Sequence, residues 1–530
     1  MSAPSAVTDH APHTSGPAGA ARPWWETRPF VAALILLSLV PLLYPANPPL
    51  VDLFGHMGRY RVQLDLASSP SLQQYYDFKW TPIGNLGVDL LVVPLSRIFG
   101  LELAVKLIVL AIPPMTVAGF LWVAREVHHR IPPTAVFALP FAFSFPFLFG
   151  FTNFTLAMAL AFLAFGLWLR LGRLGRTGLR AALFVPISFI IFVTHAFGWG
   201  ALGLLAFSAE AVRQHDKGIG WWKAGLHAAL HALAMIGPAV LMLAWRSNVQ
   251  QGMTADWFNW DAKLWWVLMA LRDRWKWFDV SSLAVAGFVL IFALFSSRLT
   301  YSRNLAFSAL VLLVGFLVLP RVIFGSAYAD MRLVPFMIAT ALLAIRFRGE
   351  TYLPTARLLV WLGLTFYLVR IGATTISLGM AANDQAAKLQ ALDHVPRGAR
   401  LVTLAGQECD KRWELPRNSH LGSMGIVRRE AFANDQWVIE GANLLSIRYR
   451  KAGYFMADPS QHVRPPACAN RERWPVNRAL AAIPRDAFDY VWLIDPPTFD
   501  PKLVNDMTPI WRGQGSLLYA IRKPGGHSQP

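Results

Sequence analysis

Residues 84–100 read GNLGVDLLVVPLSRIFG, and whether this stretch crosses a membrane decides the fold. It is apolar enough to enter one. Around it lie eleven other apolar runs, at about 29–45, 102–123, 132–149, 152–170, 180–194, 196–212, 224–245, 280–297, 303–321, 333–347 and 355–377. Most approach the roughly 20 residues that span a hydrocarbon core of about 30 Å. With the amino terminus in the cytoplasm and the runs alternating, the inner segments are ARPWWETR (21–28), REVHHR (125–130), RLGRLGRTGLR (170–180), RQHDKGIGWWK (213–223), SSRLTYSRN (296–304) and RFRGE (346–350). Nearly all are basic, as the positive-inside bias requires. Were 84–100 a further crossing, REVHHR and every later basic loop would lie outside. The stretch therefore reads as an amphipathic or re-entrant helix packed on the first outer loop. The alternative is an extra span compensated elsewhere, so the count is about eleven within a range of 10–13.

Composition supports a membrane protein. Of 530 residues, 55% are hydrophobic and only 15% charged, against roughly 25% charged in soluble domains. Many of the 21 tryptophans flank apolar runs, as an interfacial belt predicts. The net charge of +18 is spread over short loops, which orientation and anionic lipid explain without nucleic acid. Residues 1–28 read as a disordered cytoplasmic tail, and the first span as an uncleaved anchor.

The expected architecture is mainly α: a polytopic transmembrane helical bundle over 29–377, with a first outer loop at 46–101, and a small extracytoplasmic α/β domain over 378–530. In the latter, ANDQAAKLQALDHVP reads as a helix ending before Pro396, while GARLVTLAG, FDYVWLID (488–495) and GSLLYAIRK (515–523) read as strands. Both cysteines, Cys409 and Cys468, lie here. An exported compartment favours a bridge over two free thiols.

The outer side collects the unusual polar residues: Asp52, His56, Asn153, His195, Asp256, Asp279, Asp330 and Arg332. One outward-facing site near the membrane surface is the simplest reading. In VDLFGHMGRYRVQLDL (51–66), Asp52 and His56 share a helix face, with Arg59 close by. A carboxylate beside an imidazole can accept a hydroxyl proton or share a divalent metal. An amphipathic interfacial helix is the plain alternative. In YADMR (328–332), Tyr328, Asp330 and Arg332 sit where a span begins. Arg332 suits a phosphate, or else pairs with Asp330 or snorkels. His195 in THAFGWG reads first as a capping or core histidine, and Asn153 in GFTNFTLA as a helix cap. Both are also candidate substrate contacts. ADWFNWDAKLWW (255–266) reads as an interfacial aromatic helix, its rings open to sugar or lipid. No P-loop, dinucleotide fingerprint, HExxH or GxSxG occurs.

The layout resembles the GT-C superfamily of membrane glycosyltransferases, in particular its less characterised bacterial branches. Asp52 in VDLFGHMGRY matches the acidic residue of that superfamily's long first outer loop. YADMRLVP resembles its arginine-bearing loop before a late span. The DxD and paired Asp–Glu motifs of the best-known branches are absent. The resemblance implies a sugar donor linked to polyprenyl phosphate, its phosphate held by Arg332 and Arg59. Asp52 would be the base toward an acceptor on a glycan, lipid or protein, and His56 would orient or assist it. Tyr328, Asp330, His195 and Asn153 would touch substrate. No cofactor is demanded, a divalent metal stays open, and the location implied is a bacterial inner membrane. The rivals are a transporter or flippase, a polymerase of lipid-linked glycans, and a non-catalytic membrane subunit. Transporters place charges inside spans and repeat their halves. No repeat is visible, and the notable polar residues cluster at outer span ends, with Lys106 and Arg370 as exceptions within spans.

Overall fold

Each apolar run winds mainly into helix. In this computed structural model, which describes residues 23–81, 83–245, 253–323, 325–409, 413–438 and 443–522, the first run forms α1 (Arg28–Leu37) and α2 (Val40–Leu43). Most of the expected tail, residues 1–22, lies outside the described residues. The first loop carries α3 (Leu53–Asp65), α4 (Pro70–Tyr75), β1 (Tyr76–Phe78) and α5 (Gly87–Phe99). Helix α6 (Leu101–His128) follows. The run with Pro133, Pro140 and Pro146 winds tightly, as a 3-10 helix over Pro133–Phe143 and then α7 (Phe145–Phe149). Proline removes the donors a longer α-helix needs.

Helices α8 (Thr152–Arg173), α9 (Thr177–Thr194), α10 (Ala196–His215), α11 (Trp221–Ala232), α12 (Gly237–Trp245), α13 (Trp260–Leu268), α14 (Lys276–Phe295), α15 (Arg303–Val318), α16 (Val334–Leu343) and α17 (Leu353–Leu389) complete the bundle. Two short strands, β2 (Leu299–Tyr301) and β3 (Ile345–Phe347), pair beside it. Five helices (α6, α8, α9, α14, α17) are each long and apolar enough to cross a membrane, and the α11–α12 pair, bent by 70°, makes a sixth if it is one span. The expected eleven crossings thus include shorter elements, among them Arg28–Leu37, Pro133–Phe149 and Arg303–Val318. The segment 84–100 is amphipathic: Val88, Asp89 and Val92 are buried on α5, while Leu90, Leu91, Ile98 and Phe99 are exposed. Its 13 residues rise only about 20 Å, too short to span.

Helix α17 runs 37 residues without a break, about 55 Å and well beyond a membrane's thickness. The boundary expected at 378 therefore falls inside a continuous helix that carries the chain into the C-terminal unit. That unit holds β4 (Leu401–Gly406), α18 (Ser423–Arg429), β5 (Leu445–Ile447), β6 (His462–Val463), α19 (Val476–Ala482), β7 (Tyr490–Ile494), β8 (Met507–Gly513) and β9 (Ser516–Ile521). Its sheet has the order β6-β4-β7-β9-β8, the first three strands parallel and the rest antiparallel. The three strands read from sequence are β4, β7 and β9. Cys409 and Cys468 form a disulfide.

The first loop and the C-terminal unit share one core. Val62, Leu72, Tyr75 and Tyr76 pack with Val402, Ile426, Phe432 and Phe488, and β1 pairs with β5 in antiparallel register, Tyr76 opposite Ile447. Two glycines permit the approach of α3. A Cβ on Gly55 would stand 2.4 Å from the Trp437 ring, and one on Gly58 2.6 Å from Gln436 Nε2.

Candidate active site

A cavity of about 1600 Å³ lies where one end of the bundle meets the C-terminal unit. Asp52, His56, Arg59, Asn153, His195, Tyr328 and Arg332 all line it. Its far wall is built from residues just past the carboxyl ends of the parallel strands: Gln407 after β4, Arg464 after β6 and Asp495 after β7. This is where open α/β sheets hold ligands.

Asp52 sits in the turn entering α3. Its backbone N–H donates to the Phe149 carbonyl at 2.9 Å. Gly150, at φ +101°, makes room, since a Cβ there would meet Asp52 N at 2.8 Å. No hydrogen bond reaches the Asp52 carboxylate among the described residues. The nearest basic side chain is His420, whose Nε2 lies 3.8 Å from Oδ1. Burial lifts the Asp52 carboxyl to about 7, and the charge of Asp458 adds to this, while His420 and Arg332 oppose it.

His420 is itself held. Its Nδ1 lies 2.9 Å from the Asp435 carbonyl oxygen, and its ring packs on Trp437 at 4.4 Å. The Asp435 carboxylate accepts from Ser423 N and Oγ, both at 2.7 Å. Burial lifts Asp435 to about 6.

Arg332 is buried, with its guanidinium 4.7 Å from the centroid of Phe151 and 5.4 Å from that of Phe197. Among the described residues it has no carboxylate partner, and its Nε has no hydrogen-bond partner. Burial pulls it down to about 10, against the opposing charge of Asp52. Nη1 stands 3.1 Å from His195 Nε2, and the N–H of Phe197 points at His195 Nδ1 at 3.1 Å. A neutral imidazole has one lone pair and here faces two donors. Whichever nitrogen carries the proton, one donor is left over, so this corner lacks an acceptor. His195 thus serves both as the cap of α10 and as a wall of the cavity.

Four expected roles change. Asp330 does not line the cavity; it pairs with Lys263 at 3.1 Å, which also donates to the carbonyls of Phe316 and Leu319. Arg59 reaches the cavity wall but is paired with Asp89 at 2.8 Å, so it is not a free phosphate ligand. Asn153 is not a helix cap: its amide accepts from Val88 N and donates to Asn85 O and Asp89 Oδ2, tying α5 to α8. His56 stacks toward Trp437 and Tyr60, and the imidazole facing Asp52 is His420 instead. Asp256 and Asp279 also lie off the cavity, paired with Arg321 and Arg370. Tyr328 lines the cavity with its backbone at φ +63°. The residues missed from sequence, His420, Trp437 and Asp458, all belong to the C-terminal unit. The one available signal was ANDQW (433–437), a polar run buried between aromatics. Among the described residues no group of three or more His, Cys, Asp or Glu is arranged to hold a metal ion.

No protein-family model matches this chain, and no curated protein matches it. Among solved structures it is similar to ArnT from Cupriavidus metallidurans bound to undecaprenyl phosphate, with a TM-score of 0.49 and 12% identity over 93% of this chain and 97% of that one. The apo structure of the same protein gives a TM-score of 0.48 and 12% identity, with the same coverage.

Proposed function

We propose that this chain is a membrane glycosyltransferase that moves a sugar from a polyprenyl-phosphate donor to an acceptor hydroxyl. The observation that carries the reading is a pair facing one cavity: a buried guanidinium with no carboxylate partner among the described residues, Arg332, and a partly buried carboxyl raised toward neutrality, Asp52. The first is a site for an anion, and the surplus donor at His195 adds a second N–H to it. The second is a base matched to neutral pH.

In the reaction, the acceptor oxygen attacks the anomeric carbon. The bond from that carbon to the phosphate oxygen breaks, and its electron pair stays on the phosphate. Arg332 and the His195 corner neutralise the charge that develops there. The hydroxyl proton passes to Asp52. The carboxyl ends of β4, β6 and β7 form the acceptor side of the cavity. The donor's chain would lie among the apolar helices, in a bacterial inner membrane, with the cavity and the C-terminal unit on the outer face. The Cys409–Cys468 bridge suits an oxidising compartment. Against a transporter, the buried charges within the bundle are locally paired: Arg370 with Asp279 at 2.7 Å and Arg180 with Glu210 at 2.9 Å. Lys106 reaches the Leu43 carbonyl at 3.0 Å.

The test compares envelope glycans and polyprenyl-linked sugars by mass spectrometry in a deletion strain complemented with wild type, Asp52→Asn or Arg332→Met. A sugar lost on deletion and restored only by wild type is the expected result. Full restoration by both variants would overturn the reading.

A further inference from the structure

We propose that His420, carried by the C-terminal unit, is the proton acceptor behind Asp52, so that the base of the reaction is a carboxylate–imidazole dyad assembled from two parts of the chain. This rests on the reading of Asp52 as the base.

The tautomer follows from geometry. His420 Nδ1 lies 2.9 Å from the Asp435 carbonyl oxygen, and a carbonyl oxygen only accepts. Nδ1 therefore carries the hydrogen, and in the neutral ring Nε2 presents its lone pair to Asp52 Oδ1 at 3.8 Å. That separation is longer than a hydrogen bond, and catalytic contacts of this kind commonly tighten in the reacting complex.

The arrangement is built from both sides. Ser423 fixes the Asp435 carboxylate, and Gln436 Nε2 donates to the Gly55 carbonyl at 3.0 Å. A Cβ on Gly55 would come within 3.2 Å of His420 Nδ1, so the glycine three residues after Asp52 is what lets the ring reach the turn. The charged and titratable groups acting on Asp52 are His420, Asp458 and Arg332. Those near His420, besides Asp52, are Asp435, His56 and His462. Of Asp52's three neighbours, Asp458 is engaged through Oδ1 by Gln461 Nε2 at 2.7 Å, and Arg332 has no lone pair to offer.

The step balances. The acceptor O–H breaks as its oxygen bonds to the anomeric carbon, and the phosphate departs with its electron pair. The proton moves from the hydroxyl to an Asp52 oxygen and on to His420 Nε2. Asp52 returns to carboxylate, and the imidazolium gives its proton to water entering the cavity. His420 acts through Asp52 and is a positioning and relay residue.

The test uses the full chain in lipid nanodiscs, given the total polyprenyl-phosphate-sugar extract and envelope glycan of a deletion strain. The initial rate is read as release of free polyprenyl phosphate by mass spectrometry. His420→Asn keeps an N–H for the Asp435 carbonyl and has no counterpart of Nε2. The expected result is a rate lowered about 10²-fold in a folded protein. Its pH–rate curve shifts to higher pH, because the imidazole that takes up the proton and, once protonated, favours the Asp52 carboxylate is gone. Added imidazole partly restores His420→Ala. If His420→Asn does not fold, the same readings are taken on His420→Gln. A wild-type rate and pH curve in the variant, with Asp52→Asn inactive, would overturn the dyad and leave the base standing. A lowered rate with neither pH shift nor imidazole rescue would reduce His420 to packing and also overturn it. Wild-type activity in Asp52→Asn, or no release by wild type, would overturn the base and the dyad together.

Discussion

Replacing Asp52 with Asn should abolish transfer and at the same time make the protein more stable, with the gain present only above acidic pH. The carboxyl titrates at about 7 in the folded chain and near 3.8 when free. Its folded-state pKa is raised, so the unfolded chain loses the proton first. The resulting penalty on folding is absent below about pH 4, grows between pH 4 and 7, and is complete above 7. A rise of that size corresponds to about 4 kcal/mol. The side chain opens onto the cavity and is 14% exposed, which argues for a realised value of about 2–4 kcal/mol. Asn is close in shape to the protonated carboxyl and carries no such penalty at any pH. With about 2 cal/mol/K of unfolding entropy per residue, a chain of 530 residues unfolding as one unit would gain roughly 2–4 °C at pH 8 and almost nothing at pH 4. Thermal unfolding of both proteins at pH 4, 6 and 8, beside the transfer rate of wild type over the same range, reads both effects. The wild-type rate should climb as pH rises through 7, by which point the stability gap has opened. An Asn variant equally shifted at pH 4 and pH 8, or less stable than wild type at pH 8, would refute the claim that Asp52 is held against its ionisation.

Arg332→Lys retains charge but loses the planar fork, and should lower transfer at least tenfold, measured as polyprenyl phosphate release. Asp89→Ala leaves Arg59 buried and unpaired, the two side chains now being 4% and 1% exposed. It should cost about 3–5 kcal/mol in denaturant unfolding, and Arg59→Met with Asp89→Leu together should recover much of it. The Cys409–Cys468 bridge closes a separation of 59 residues, so Cys409→Ser with Cys468→Ser should lower the stability of the C-terminal unit by about 4 kcal/mol on loop entropy, seen as a lower thermal midpoint that reductant no longer changes. Gly55→Val should overpack Trp437 at a cost of about 1–3 kcal/mol, and should reduce transfer more than Gly287→Val in α14, where nothing lies within 4 Å of an added Cβ.

What the sequence reveals here is what depends on local pattern. Apolar period and basic loops marked the helices, and alternation marked β4, β7 and β9. Sorting polar residues by loop side grouped Asp52, His56, Asn153, His195 and Arg332, which line one cavity, with Asp256, Asp279 and Asp330, which do not. The same sorting could not tell a site residue from an ion pair. Asp330 and Arg332 are two residues apart, yet one side chain turns to Lys263 and the other to the cavity. That depends on which partner a neighbouring helix supplies. Lys263 comes from α13, a helix that reads as merely interfacial. His420 was illegible for a different reason. It lies 368 positions from Asp52, counting from 52 to 420, in an irregular segment with no periodicity to place it.

The two glycines of VDLFGHMGRY explain why the opening of the first loop reads ambiguously as an amphipathic helix. An interfacial helix would gain from larger side chains on the face that α3 buries, because glycine in a helix costs about 1 kcal/mol relative to alanine. That cost is understandable once Gly55 and Gly58 are seen against Trp437, His420 and Gln436. They mark a protein contact, since lipid conforms to a side chain and a packed ring does not. The contact then accounts for the polar residues around it. Arg59 meets Asp89 and Asn443, from α5 and the C-terminal unit, while Asp52 meets His420. The residues that look like solvated charge on a surface helix are those that join three separate parts of the chain. The carboxylate proposed as the base sits at that junction, where docking of the C-terminal unit both buries it and supplies its imidazole.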